Sequence, residues 1–117
     1  LLVDNRPEDQ YVGINRHPKS PESGTLAGAK NLPNGWLTVN GMGQFRSKSQ
    51  IEQLYKVANV PTSGEQINFC NTGHWASVGW FVSSELMGNK KARMYDGSMV
   101  EWTLLKGGSM EQKVKLN

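Results

Sequence analysis

The chain has 117 residues, 37% of them hydrophobic and 20% charged, with 13 Lys and Arg against 10 Asp and Glu for a net charge of +3. That length supports one domain with its own core, and no apolar run approaches the roughly 20 residues of a membrane-crossing helix, so the expectation is a soluble protein of cytoplasm or periplasm. The mild, scattered positive excess suits small anions and argues against nucleic acid. One cysteine, Cys70, and two distant histidines, His17 and His74, leave no internal disulfide and no metal-ligand spacing, so neither metal nor cofactor is expected.

Short apolar runs alternate with helical patterns, which predicts an α/β domain with a mainly parallel sheet. Leu1 to Val3 reads as a strand that stops at Asp4, and Ala29 to Leu32 as a second, closed by Pro33. Between them, residues 14–23 (INRHPKSPES) form a loop, and residues 34–47 read as another irregular connection. Ser49 and Glu52 have capping-box spacing and open a helix with Ile51, Leu54, Tyr55 and Ala58 on one face. Pro61 and Gly64 mark its exit, and Gln66 to Phe69 form the third strand. A helix starting near Ala76 then buries Val78, Phe81, Val82 and Leu86 and is capped at Gly88. Ala92 to Tyr95 is a fourth strand. Ser98 and Glu101 repeat the capping spacing and open a short helix through Leu105. Residues 1–107 thus make the domain, and 108–117 read as a C-terminal tail or linker.

The stretch INFCNTGHWASVGWF, residues 67–81, places the single thiol at the end of a strand, just before a helix. In open α/β sheets ligands sit beyond the carboxyl ends of the strands. The small polar loop after Cys70, with Gly73 in its middle, can turn its backbone N–H groups inward, and the helix N-terminus adds partial positive charge. Such a field favours the thiolate and makes Cys70 a nucleophile. A buried, inert cysteine is the competing reading, because free Cys often packs as a small hydrophobe. Phosphate chemistry is disfavoured, since the Arg that cysteine phosphatases place six positions after the nucleophile is Ala76 here.

Five stretches, taken together at their spacings, carry a resemblance. They are LVDNR (Leu2 to Arg6), Tyr11-Val12-Gly13, SGTLAGAKNLP (Ser23 to Pro33), CNTGHWAS (Cys70 to Ser77) and YDGSMVEW (Tyr95 to Trp102). Over nearly its whole length the sequence resembles rhodanese-family sulfurtransferases, most closely the catalytic C-terminal domain of two-domain enzymes that take sulfur from thiosulfate or 3-mercaptopyruvate. The resemblance implies a rhodanese-like three-layer domain, a mainly parallel sheet flanked by helices, without the family's usual first strand and helix. It also implies a preceding rhodanese-like domain as a partner, the chain being a piece of a two-domain protein. Cys70 would attack a small anionic sulfur donor and become a persulfide, stabilised by the amides of Asn71, Thr72, Gly73, His74 and Trp75. A thiol, cyanide or protein-cysteine acceptor would then remove the outer sulfur.

The same resemblance casts Asp4 as a residue that orients loop groups, and Arg6 and Glu101 as scaffold joined in a buried ion pair. The family's anion clamps are missing. Asn71 and Thr72 stand where thiosulfate-specific relatives carry basic residues, and Gln10 where two-domain members commonly have Arg. Gln10, Arg16 and Trp36 are the candidate substrate contacts. His17, Lys19 and His74 could supply charge, and Trp75 could wall the pocket, although each also reads as a solvated loop or packing residue. The alternative function is a non-enzymatic rhodanese-like sulfur carrier or partner-binding module.

Overall fold

The computed structural model describes residues 1–116. Four short strands make the central sheet: β1 (Leu2–Asp4), β3 (Lys30–Asn31), β4 (Gln66–Phe69) and β5 (Ala92–Met94). They lie in the order β3-β1-β4-β5 with every pairing parallel. Asp4 is level with Asn31 on one side and Phe69 on the other, so the ends of the three strands share one rim. A parallel sheet needs cover on both faces. One face carries α2 (Lys48–Ala58) and α3 (His74–Phe81), which pack Val3, Leu32, Ile51, Tyr55 and Val82 into one core. The other carries α4 (Ser98–Leu104) and a two-strand ribbon of β2 (Thr25–Leu26) and β6 (Met110–Glu111), around Leu26, Ala29, Phe69 and Met99. The second cover is incomplete: a cavity of about 470 Å³, lined by Leu2, Ile67, Phe69, Met94 and Trp102 among others, opens on that face.

The strands fall where the apolar runs place them, with β4 spanning Gln66–Phe69 and β3 shorter than its run. Several helical expectations are corrected. The box that caps α2 is Ser47 with Gln50, both reciprocal bonds formed, two residues ahead of the Ser49 and Glu52 pair. Both pairs satisfy the same local rule; the earlier one starts a longer helix. Ile51 and Tyr55 are then fully buried, and burial of an Ile side chain contributes about 1.5–3 kcal/mol. Beyond Phe81 the helix widens into a π-helical turn over Val82–Leu86, which rotates the expected apolar stripe. Val82, Ser83 and Ser84 turn inward while Phe81 and Leu86 stay 40% and 37% exposed, and Phe81 stacks on Phe45 instead. Gly88 follows in the left-handed region, as a helix stop requires.

Two elements were not foreseen. A short helix, α1 (Glu8–Val12), follows Pro7, whose fixed φ suits a helix entry. The β2–β6 ribbon pairs Thr25 with Glu111, and the Val114 N–H donates to the Val12 carbonyl. Residues 110–114 of the segment read as a tail therefore lie against the domain; Asn117 is outside the described residues.

Candidate active site

Cys70 is the first residue after β4, at the carboxyl rim of the sheet between the exits of β1 and β5. The start of α4 grips the backbone there. The Cys70 N–H donates to Ser98 Oγ (2.9 Å), the Met99 N–H to the Cys70 carbonyl (3.0 Å), and the Val100 N–H to the Asn71 carbonyl (3.0 Å). The chain then turns through Gly73 at φ +97°, and α3 begins at His74, two residues before the expected start. Gly73 is required twice over. Its φ is left-handed, and a Cβ there would lie 2.7 Å from both the carbonyl oxygen and Oδ1 of Asp96. This turn aims the Gly73 N–H at Cys70 Sγ, 3.1 Å away. The thiol is 1% exposed, so it is both shielded from water and met by a main-chain donor at the head of an eight-residue helix.

The loop residues divide by environment. Asn71 is buried, and its Nδ2 donates to Gln10 Oε1 across 2.7 Å, so the two amides at the positions expected to clamp an anion clamp each other. Asn71 Oδ1 has no hydrogen-bond partner. Thr72 and His74 are exposed and Trp75 is half-buried. Thr72 borders a cleft of about 400 Å³ shared with Asp96, Glu101, Leu104 and Leu105.

Asp4 and Arg6 pair with each other rather than with the loop. Arg6 Nη2 meets Asp4 Oδ2 at 2.7 Å and Arg6 Nε meets Oδ1 at 3.0 Å, both side chains no more than 1% exposed. Thr25 Oγ1 donates to the same carboxylate and Arg6 also donates to the Gly24 carbonyl. The expected Arg6–Glu101 ion pair does not form. Glu101 accepts from the Tyr95 hydroxyl (2.8 Å), and burial together with that carboxylate pushes the Tyr95 hydroxyl up to about 12. Trp36 packs against the α2 core and Arg16 is exposed; among the described residues no hydrogen bond joins Arg16, His17, Lys19 or Trp36 to residues 70–75. The long loop instead reaches α4, where Ser20 Oγ meets Thr103 Oγ1 (2.9 Å). Among the described residues no group of three His, Cys, Asp or Glu side chains is placed to hold a metal, and no helix is long and apolar enough to cross a membrane.

One residue of this site escaped the sequence reading. Ser98, taken for a helix cap, instead closes over Cys70. Nothing in the local spacing separates the two roles.

Comparison with known proteins places this geometry in context. Residues 1–105 match the family model described as Rhodanese-like domain. A Mycobacterium leprae protein named "Putative thiosulfate sulfurtransferase SseA" is 36% identical over 108 residues, which take in 86% of this chain and 35% of that protein. A Mycolicibacterium smegmatis protein named "Putative thiosulfate sulfurtransferase" is 35% identical over 117 residues, covering 94% of this chain and 42% of its own. The crystal structure of the Tum1 protein from Saccharomyces cerevisiae superposes with a TM-score of 0.81 at 25% identity, over 97% of this chain and 40% of that one. The chain thus spans less than half the length of each of these relatives.

Proposed function

From its membership of the rhodanese-like domain family, to which this chain belongs, we propose that it is the part of a sulfurtransferase that carries the reactive sulfur, on Cys70. The observation that carries the reading is the Gly73 N–H held 3.1 Å from Cys70 Sγ at the head of α3. A donor amide and a helix N-terminus both direct partial positive charge at that sulfur. The thiolate attacks the outer sulfur of a donor such as thiosulfate. A new S–S bond forms on Cys70, the donor's own S–S bond breaks, and sulfite leaves with that electron pair. Cyanide or a thiolate then attacks the outer sulfur of the persulfide, and the Cys70 thiolate is restored. Thr72 and His74, the exposed members of the loop, are where a donor enters, because the thiol itself is buried.

Wild-type protein is expected to release thiocyanate from thiosulfate or 3-mercaptopyruvate plus cyanide, and to gain one sulfur on Cys70 by mass spectrometry. Cys70→Ser should do neither. If wild type and Cys70→Ser are indistinguishable with both donors, the reading fails.

A second reading has its own support. The neutral Asn71–Gln10 pair stands where a guanidinium would hold an anionic donor, which favours a module that exchanges sulfur with a protein persulfide. That reading expects slow turnover of both small donors alongside fast uptake from a persulfidated protein.

A further inference from the structure

The chemistry above uses the thiol and the loop amides, and leaves one buried side chain against the nucleophile without a task. Ser98 has no exposed surface. Its φ is +54°, in the left-handed region that a serine occupies at a conformational cost and a glycine does not. At such a position the backbone alone would be better served by glycine, so the serine is distinguished by its hydroxyl. That oxygen has three neighbours. It accepts the Cys70 N–H at 2.9 Å, donates to the Tyr95 carbonyl at 2.8 Å, and lies 4.0 Å from Cys70 Sγ. Donation to Tyr95 strengthens the oxygen as an acceptor, and with its one proton spent there a lone pair is fixed on the Cys70 N–H. The consequence falls on the Cys70 main chain. The N–H bonded to Ser98 belongs to the peptide unit before Cys70 and the carbonyl bonded to the Met99 N–H to the unit after it, so both are held, with Sγ 3.1 Å from the Gly73 N–H.

We propose that Ser98 is a positioning residue for sulfur transfer, holding the Cys70 main chain so that the sulfur keeps its main-chain donor. The proposal rests on the reading of Cys70 as the nucleophile. Chains carrying Ser98→Gly and Ser98→Ala are compared with wild type, using thiosulfate or 3-mercaptopyruvate as donor and cyanide as acceptor. In Ser98→Gly the relieved backbone cost offsets the lost hydrogen bonds, so its urea midpoint should stay close to that of wild type, while kcat falls about tenfold, the worth of one hydrogen bond, with KM little changed. Ser98→Ala should lose kcat similarly. Hydrogen exchange at the Cys70 amide should quicken in Ser98→Gly. A Ser98→Gly protein with wild-type kcat and wild-type exchange at Cys70 overturns this proposal and leaves the nucleophile intact. A loss of kcat that tracks a lowered urea midpoint in Ser98→Gly also overturns it, marking a serine that serves stability alone. A wild-type protein that forms no persulfide from either donor sinks both readings together.

Discussion

Two neighbouring strand ends, level in one sheet, are finished in opposite ways. At the exit of β1, Asp4 and Arg6 are fully buried, and the carboxylate accepts from Arg6 Nε, Nη2 and main-chain N–H and from Thr25 Oγ1. At the exit of β4, the equally buried Cys70 sulfur has a single close donor, the Gly73 N–H. The first group is saturated. A buried carboxylate with all its acceptor positions engaged has nothing left to offer a ligand and serves the scaffold. The second keeps free acceptor capacity beside a helix N-terminus, the feature on which the proposal for Cys70 rests. What separates the two buried groups here is how many partners each already has.

The largest expected effect tests the saturated end. Arg6→Met leaves the Asp4 carboxylate buried without its guanidinium and should cost about 3–5 kcal/mol in urea unfolding, the usual penalty for breaking one partner of a buried pair. A loss below about 1 kcal/mol would mean that the two ends differ less than their hydrogen bonds imply. At the reactive end, Gly73→Ala forces a Cβ against Asp96 at a left-handed position and should cost about 2–3 kcal/mol while suppressing sulfur transfer. Gly28 has a positive φ but open space around it, so Gly28→Ala should cost only about 1 kcal/mol and spare activity.

Tyr55 extends the comparison to a group buried without a charged partner. Burial pushes its hydroxyl up to about 12, whereas an unfolded tyrosine ionises near 10. The neutral form is favoured in the fold, so this contribution is complete below about pH 10 and is lost as pH rises towards about 12. Urea midpoints should fall across that window in wild type and fall less steeply in Tyr55→Phe. Smallest of all, the Lys90–Glu85 pair is 70% and 41% exposed, and Glu85→Gln should leave the urea midpoint unchanged within error.

The fold was legible where one element's own residues decide it. Gln66 to Phe69, with Ile67 and Phe69 alternating with polar residues beyond the turn at Gly64, reads as a strand, and the structure has a strand over those four positions. The Cys70 loop and the helix after it were legible for the same reason. Ser47 and Ser49 were not separable, because each has a capping partner three residues on and only the packed helix selects between them. Phe81 and Leu86 fit a regular helical stripe, yet the π-helical turn changes the period where they sit. The β2–β6 ribbon joins two-residue strands across the length of the chain, too short to leave a periodicity.

By itself, the sequence determined that a lone thiol ends a central strand and that a glycine-bearing turn and a helix follow it. These are local facts: apolar runs, turn residues and helix signals act within a few positions. Only the tertiary structure decided which groups surround that thiol. Ser98 reaches Cys70 across 28 positions and Gln10 reaches Asn71 across 61. Hydrogen bonds of this kind depend on the parallel register that brings strand ends together, and no spacing along the chain encodes it.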